Sequence, residues 1–324
     1  MADIREAEVT YLKEGCRLCP RSCGAKRADG HTGFCGVPSD LYVARAALHF
    51  WEEPCISGKS GSGAVFFSGC PLRCVYCQNF ELAHARAGIR VTPSRLAEIF
   101  LELQDQGANN INLVTPTQYT FPVIESVQKA RNSGLHIPIV YNCSGYESVW
   151  SLRLLEGIVD IYLTDFKYID SETAQKYSRA ADYPERVKEA LEEMVRQCGT
   201  GRNVCTSGHS ACAQELDENG IMQKGVIVRH LLLPGQVNAA KRIVRYVYER
   251  YHNAVWLSLM NQYTPFPRVV QEFPELGRKV TRREYESLTD FAIDLGVEKA
   301  FIQEGDTAKE SFIPDFDGEG VLCQ

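Results

Sequence analysis

The chain has 324 residues, of which 44% are hydrophobic and 23% charged, so it can bury a large core in one or two domains. Its formal net charge of -6 gives no general attraction to nucleic acid. No apolar run approaches the roughly 20 residues that a membrane span needs. The thirteen cysteines cluster in spacings typical of metal ligands rather than of a disulfide framework, and the first residues show no signal-peptide pattern. We therefore expect a cytoplasmic protein with neither membrane nor nucleic acid as partner.

The first cysteine group lies near the N-terminus. Cys16, Cys19, Cys23 and Cys35 form the pattern C-x2-C-x3-C-x11-C. Four thiolates can close a tetrahedral zinc site or hold an auxiliary iron-sulfur cluster, and the spacing alone does not choose between them. Because burial alone rarely stabilises a small module with few apolar residues, a metal is favoured over free thiols. Residues 1–58 are therefore predicted to be a cysteine-rich module with a metal site.

The second cysteine group follows a short apolar run. Residues 63–69 predict a buried strand that ends in a glycine turn, and Cys70, Cys74 and Cys77 follow it as CxxxCxxC. Zinc sites favour pairs of CxxC-type spacings and a closed fourth ligand. A four-iron cluster held by three cysteines instead keeps one iron open to an exogenous ligand. The loop therefore predicts a metal cluster with one open coordination site at the end of a strand.

Apolar, strand-like runs alternate with amphipathic helical patterns along the rest of the chain. The helix predicted over residues 94–103 places Leu96, Ile99, Phe100 and Leu103 on one face behind a capping serine or threonine. This alternation predicts an α/β fold, a partial TIM-type barrel of about six to seven parallel strands over residues 59–305, followed by a C-terminal tail over residues 306–324. The predicted strands are residues 64–68, 111–114, 138–141, 161–164, 226–228 leading to 231–233, 255–259 and 300–302.

Small or polar residues follow five of these predicted strands. They lie at positions 115–118, 142–145, 165–167, 229–230 and 261–263. The carboxyl ends of parallel strands meet on one rim, so these side chains are expected to converge above the three-cysteine loop. Any one of them alone is better explained as a cap or turn residue, but five together indicate a ligand site.

The remaining cysteines give weaker signals. Cys198, Cys205 and Cys212, with His209, lie in a stretch rich in glycine and serine. Their spacing matches no rigid ligand motif, so a surface insertion with ordinary cysteines is favoured over a third metal site. The isolated cysteines, predicted to be ordinary thiols, are Cys55, Cys143 and Cys323.

The order of the motifs resembles an uncharacterised branch of the radical S-adenosylmethionine (radical SAM) superfamily that is similar to pyruvate formate-lyase activating enzymes. The segments that carry the resemblance are CxLCPRxC, WEEPCISG, GSG-strand-GC, CxxxCxxCQN, DFKY, RHLLLPG and MNQYTP, across most of the chain. The cysteine loop is the most specific of them. The resemblance implies a [4Fe-4S] cluster at this loop, with SAM bound to the open iron. A reduced cluster would then cleave SAM to a 5'-deoxyadenosyl radical that abstracts hydrogen from a substrate.

The resemblance also implies which residues contact SAM. Asp165 and Lys167 match the D-x-K at the fourth strand end of activating enzymes, where those residues lie beside SAM. Asn142 and Ser144 occupy the third strand end, where the family often contacts the ribose or carboxylate of SAM. Arg229 is a candidate for the SAM carboxylate, because guanidinium is a planar two-pronged donor. The cofactor-binding residues expected on these grounds and from the polar strand ends are Tyr76, Thr115, Thr117, Gln118, Asn142, Ser144, Asp165, Lys167, Arg229 and Gln262.

One strand end departs from the activating enzymes. Those enzymes carry Gly-Gly-Glu at the second strand end to hold the amino group of SAM, whereas this chain has Thr115-Pro116-Thr117-Gln118. These side chains can accept hydrogen bonds, but without the charge of a carboxylate.

Several functions stay open at this point. The substrate is a glycyl-radical enzyme, another protein or peptide, or a small molecule, and a flavodoxin-like or ferredoxin-like protein is the expected electron donor. A non-catalytic iron-sulfur or zinc scaffold, or an electron-transfer protein, is the alternative from a different class.

Overall fold

The structure is a computed structural model that describes residues 4–199, 215–303 and 314–322. Its centre is one large, mostly parallel sheet. The strands in these ranges are β1 (Leu41–His49), β2 (Ser62–Phe67), β3 (Ile89–Val91), β4 (Ile111–Val114), β5 (Ile139–Cys143), β6 (Ile161–Asp165), β7 (Glu215–Leu216), β8 (Met222–Leu231), β9 (Trp256–Met260) and β10 (Ala300–Ile302).

Seven strands form the parallel part of the sheet, in the order β2, β4, β5, β6, β8, β9, β10. They are the seven predicted strands, so the α/β fold and the partial barrel are confirmed. Of the two apolar runs 226–228 and 231–233, the first and Leu231 lie in one long strand, β8, whereas Leu232 and Leu233 follow its end. Within the described ranges, β2 and β10 do not pair with each other, so the barrel is open between them.

Helices cover the outer face of the sheet, as the alternation predicted. The predicted helix 94–103 is α4, capped by the Thr92 hydroxyl, which accepts a hydrogen bond from the Arg95 N–H at 3.1 Å. All four of its predicted core residues are buried. The helices are α1 (Ile4–Glu14), α2 (Pro54–Ser57), α3 (Phe80–Ala83), α4 (Pro93–Asp105), α5 (Thr120–Asn132), α6 (Val149–Leu154), α7 (Ser171–Ser178), α8 (Tyr183–Cys198), α9 (Val237–Tyr251), α10 (Pro267–Glu272) and α11 (Arg282–Leu295).

The inner face of the barrel is apolar at one level and polar at the next. Val140, Ile161, Leu163 and Ile227 pack together with Ile56 of α2 inside the barrel. Successive side chains of a strand point to opposite faces, so the next inward residues of β5, β6 and β8 lie two positions further along the chain. Those residues are polar or charged, and they place hydrogen-bonding groups at the carboxyl ends of the strands.

An antiparallel edge extends the sheet beyond the barrel, and the sequence did not predict it. β1 pairs antiparallel with β2, and β3 pairs antiparallel with β1. Residues 314–322 return to this edge, where the Gly318 N–H donates to the Ala44 carbonyl at 2.9 Å. β1 lies within the predicted N-terminal module yet continues the sheet of the barrel, and the domain limits at residues 58 and 305 stay predictions.

None of the helices in the described part of the chain combines the length and the apolar character needed to cross a bilayer.

Candidate functional site

The three-cysteine loop lies at the carboxyl end of β2, where the sequence predicted it. β2 is buried along its whole length, and the chain turns at Gly69, whose φ is +84°. Cys74 is buried, and Cys70 and Cys77 are half-buried. The Cys70 sulfur accepts a hydrogen bond from the backbone N–H of Arg73 at 3.5 Å. The loop therefore holds three thiols close together at the rim of the barrel.

Burial of Cys70 and Cys77 disfavours the thiolate form of both. Burial raises the pKa of Cys70 to about 11 and the pKa of Cys77 to about 12, and the charge of the neighbouring Cys74 thiolate adds to both shifts. The Lys167 ammonium acts in the opposite direction on both cysteines. Thiols with such pKa values become thiolates when a metal supplies positive charge. The donor set therefore fits an iron-sulfur cluster.

Beside the loop, Arg229 of β8 forms hydrogen bonds with residues of β5, of β6 and of the segment before α2. Its guanidinium donates to Asp165 Oδ1 at 3.0 Å, to Glu52 Oε2 at 3.1 Å and to Asn142 Oδ1 at 2.5 Å. The Lys167 ammonium donates to the other oxygen of Asp165 at 2.6 Å. We call these five residues the charged layer. The structure thus brings together four of the residues predicted to bind the cofactor.

Charge balance in the charged layer holds Asp165 and Lys167 ionised. Burial alone would raise the pKa of Asp165, but the Lys167 ammonium and the Arg229 guanidinium outweigh it and lower that pKa. Burial would lower the pKa of Lys167, but Asp165 outweighs it and raises that pKa. The side chains of Glu52 and Arg229 are 11% and 14% exposed, so little solvent screens their ion pair. Two carboxylates therefore face two cations.

Glu53 and Asn112 were missed by sequence reasoning, as was Glu52 of the charged layer. Burial raises the pKa of Glu53 against the effect of Arg229, and its Oε2 atom has no partner. The Oδ1 atom of Asn112 is also buried without a partner, while its Nδ2 donates to Glu52 Oε1 at 3.1 Å. A bound polar ligand would satisfy such buried atoms. The signal available in the sequence was the acidic pair in Trp51-Glu52-Glu53-Pro54, immediately before the buried α2.

Two residues of the second strand end make contacts inside the protein. The Thr117 hydroxyl donates to Glu147 Oε1 at 2.9 Å. The Gln118 amide donates to the carbonyls of Ser68 at 2.9 Å, Gly69 at 3.0 Å and Thr115 at 2.8 Å. Gln118 therefore stabilises the turn that leads into Cys70. That Thr115, Thr117 and Gln118 bind the cofactor stays a prediction.

Tyr76 lies in a cluster of tyrosines next to the loop. It is 5% exposed, and the ring centroids of Tyr168, Tyr177 and Tyr263 each lie 6.3 Å from its own. This cluster supports the loop from the side of α7 and of the segment after β9.

Ser144 and Gln262 lie at the ends of β5 and β9. The Ser144 hydroxyl accepts a hydrogen bond from the Tyr146 N–H at 3.4 Å. The Gln262 carbonyl accepts one from the Gln78 amide at 3.2 Å, which links β9 to the residue that follows Cys77. Their contacts with a cofactor stay predictions.

Among the described residues, the cysteines outside the loop form one group of four that line a cavity and three separate buried thiols. Cys16, Cys19, Cys23 and Cys35 line one cavity. Cys55, Cys143 and Cys198 are buried far apart in the sequence, and the Cys198 thiol donates to the Gly225 carbonyl at 3.3 Å. Cys205, Cys212, Cys323 and His209 lie outside the described residues. Across residues 4–199, 215–303 and 314–322, no three Cys, His, Asp or Glu side chains are arranged to hold a metal ion.

Glu147, the partner of Thr117, is a buried acid from which we expect a pH-dependent stability. It is 1% exposed, and burial raises its pKa to about 8 from an ordinary 4.5. Between these values the folded protein binds more protons than the unfolded chain, so Glu147 lowers stability as pH rises from about 4.5 to about 8. Urea unfolding at pH 5, 7 and 9 measures the free energy of unfolding. Relative to the wild type, that of the Glu147→Gln variant should rise by a few kcal/mol across this range.

The matched control for Glu147 is the exposed Glu172 on α7. Glu172→Gln should leave the pH dependence of the wild type unchanged. An identical pH dependence in Glu147→Gln and in the wild type would contradict the raised pKa.

Comparison with known proteins gives the class of this site. Residues 64–208 match the model of the radical SAM superfamily. The matched part of the chain includes the three-cysteine loop and Asp165, and the match agrees with the resemblance noted in the sequence. That superfamily uses a [4Fe-4S] cluster and SAM, so the match supports a radical SAM enzyme.

A curated relative covers most of the chain. The uncharacterised protein MJ0674 of Methanocaldococcus jannaschii is 26% identical over 302 residues, which are 90% of this chain and 78% of the relative. This agrees with an uncharacterised branch of the superfamily.

Proposed function

We propose that Cys70, Cys74 and Cys77 ligate three irons of a [4Fe-4S] cluster and that the protein uses it to cleave SAM reductively and oxidise a substrate by hydrogen abstraction. The observation that carries the proposal is the position of the three-cysteine loop, at the carboxyl end of β2 beside the charged layer. When bound, the cluster and SAM supply the electron and the organic radical. The chain supplies ligands, orientation and protection from water.

In this proposal Arg229 binds the carboxylate of SAM. Support comes from its position at the strand ends and from its forked donor geometry. Asp165 and Glu52 orient the guanidinium, because each holds one of its nitrogens within 3.1 Å. Lys167 places a positive charge near the cluster thiolates, which offsets part of their charge.

The unpartnered oxygens of Glu53 and Asn112 are the proposed contacts for positively polarised groups, such as an ammonium on SAM or on the substrate. Glu52 and Glu53 would then supply carboxylate oxygens that the second strand end lacks. Tyr76 lies beside Cys77 and is proposed to flank the adenine, with Asn142 and Ser144 toward the ribose.

Activation of a glycyl-radical enzyme is the finer proposal for the substrate. It is supported by Asp165 and Lys167, which occupy the D-x-K positions of activating enzymes and form an ion pair at 2.6 Å. A flavodoxin-like or ferredoxin-like protein is the proposed electron donor. A glycyl radical detected by electron paramagnetic resonance on a candidate partner, dependent on this protein and SAM, would support the activating role, and its absence from all candidates would contradict it.

The general proposal is tested with the full-length protein under anaerobic conditions. The protein is reconstituted with iron and sulfide, reduced with dithionite and mixed with SAM. We expect equal amounts of 5'-deoxyadenosine and methionine, because cleavage of one SAM yields one of each. A reconstituted cluster that neither binds nor cleaves SAM would contradict the proposed function.

A further inference from the structure

Within the predicted N-terminal module, residues 15–40 fold around four cysteines. This segment contains no strand, and its one helical element is a 3-10 turn at Arg27–Asp29. Cys16, Cys19, Cys23 and Cys35 nevertheless line a single cavity, with Cys16 and Cys35 buried. Four thiols from separated positions thus meet in a segment that has little regular structure to position them.

One buried cation connects the loops of the module. Arg27 is 1% exposed, and its guanidinium donates to the carbonyls of Val37 at 3.0 Å, Pro38 at 2.5 Å and Gln118 at 2.6 Å. One of its nitrogens also lies 3.8 Å from the sulfur of Cys16. This fixed positive charge would offset part of the negative charge of a metal-bound thiolate at Cys16.

A single ion and an iron-sulfur cluster place different demands on four thiols. A zinc ion needs all four sulfurs at about 2.3 Å from one point, so ligands of one ion must converge. In a four-iron cluster each cysteine binds its own iron, so the sulfurs stand farther apart. Within the described part of the chain, no three of these side chains converge on one ion. The same holds for Cys70, Cys74 and Cys77 in the radical SAM domain, where a cluster is expected.

The module lies directly against the radical loop. Arg21 Nε donates to the carbonyl of Pro71, the residue after Cys70, at 3.0 Å. On the other side of Cys70, a Cβ atom at Gly69 would lie 2.8 Å from the Cys35 carbonyl. The two cysteine sets therefore meet across the backbone of one turn.

We propose that Cys16, Cys19, Cys23 and Cys35 bind a second iron-sulfur cluster, next to the one in the radical SAM domain. The four thiols that line one cavity, the adjacent Arg27 and the contact with the radical loop carry this assignment. It goes beyond the proposed function and does not require SAM cleavage. The position of the module makes it a suitable entry point for an electron on its way to the radical loop.

The test uses a background that lacks the radical cluster. In full-length protein, Cys70→Ser, Cys74→Ser and Cys77→Ser together remove its ligands. This triple variant is purified without oxygen and reconstituted with iron and sulfide. Iron, acid-labile sulfide and zinc are measured per chain, and the reduced protein is examined by electron paramagnetic resonance.

We expect the triple variant to retain iron and sulfide and to show the signal of a reduced cluster. Adding Cys19→Ser and Cys23→Ser should remove both. The control adds Cys198→Ser, which keeps a hydrogen-bond donor at a buried site on α8 and should leave iron and sulfide unchanged. Circular dichroism verifies folding, and if the added substitutions unfold the chain, the metal content of the triple variant decides alone.

Three results would overturn the second cluster. They are a triple variant without iron, a triple variant in which a stoichiometric zinc ion resists replacement by iron and sulfide, and a cluster that survives Cys19→Ser and Cys23→Ser in folded protein. Failure of the proposed function is distinct, because it concerns SAM. Wild-type protein that fails to cleave SAM, with iron retained in the triple variant, would contradict radical SAM chemistry and support the second cluster.

Discussion

Replacing Cys74 by alanine is expected to abolish SAM cleavage. Cys74 is the middle cysteine of the loop and 7% exposed, and its charge acts on both Cys70 and Cys77. Removing one of three ligands leaves two irons without a protein ligand, so the cluster should be lost or unable to bind SAM productively. We expect 5'-deoxyadenosine formation to fall to the level of the no-enzyme control, measured anaerobically with dithionite and excess SAM.

The matched control is Cys143→Ala, which removes a buried thiol at the end of β5. Its sulfur lies 3.4 Å from the Thr164 hydroxyl, on the outer face of the sheet. This change should cost stability of about 1 kcal/mol, as for other lost hydrogen bonds, but retain SAM cleavage. Full activity in Cys74→Ala would refute its role as a ligand. Loss of activity in both variants, with folding retained, would show that the assay responds to cysteine loss in general.

The barrel could be predicted from the sequence because its strands carry a local signal. Runs such as Ile111–Val114 and Ile161–Asp165 are buried on both faces, so they appear in the sequence as short, continuous apolar segments. Helix α4 has both a periodic apolar face and a capping threonine. The CxxxCxxC loop follows directly from the end of β2. Each of these features is encoded within a few residues.

The antiparallel edge lacked such a local signal. β1 contains Ala44, Arg45, Ala46 and Ala47, residues with high intrinsic preference for helix. It is a strand because β2 pairs with it along most of its length and because Gly318 and Glu319 approach from the C-terminal part of the chain. Non-local pairing of this kind overrides local propensity, and no window of sequence around β1 contains it.

The charged layer was predicted only in part for the same reason. Asp165, Lys167 and Arg229 come after the predicted strands 161–164 and 226–228, so a rim position could be assigned to each of them. Glu52 precedes the barrel by ten residues, as β2 begins at Ser62, and reaches Arg229 only because the segment before α2 enters the open barrel. Its role depends on a contact across 177 positions of sequence, which periodicity and strand ends do not reveal.

Substitution of Arg229 is expected to have the second large effect, on both stability and SAM binding. Arg229→Gln leaves Asp165 and Glu52 in the layer with only Lys167 to balance them. Breaking a buried ion pair by removing one partner typically costs about 3 to 5 kcal/mol, so urea unfolding should show a loss of this order. SAM affinity, measured by equilibrium dialysis on the reconstituted protein, should fall at least about tenfold, the equivalent of one charge-assisted hydrogen bond.

Two further variants separate the structural role of Arg229 from its role in binding. Glu52→Gln combined with Arg229→Gln removes one charge of each sign, so it should recover part of the lost stability without recovering SAM affinity. Arg229→Lys keeps the charge but replaces the planar fork by a single ammonium, so it should retain stability better than it retains affinity. If the double variant binds SAM as tightly as the wild type, Arg229 serves only to balance Glu52 and Asp165, and the SAM carboxylate lies elsewhere on the rim.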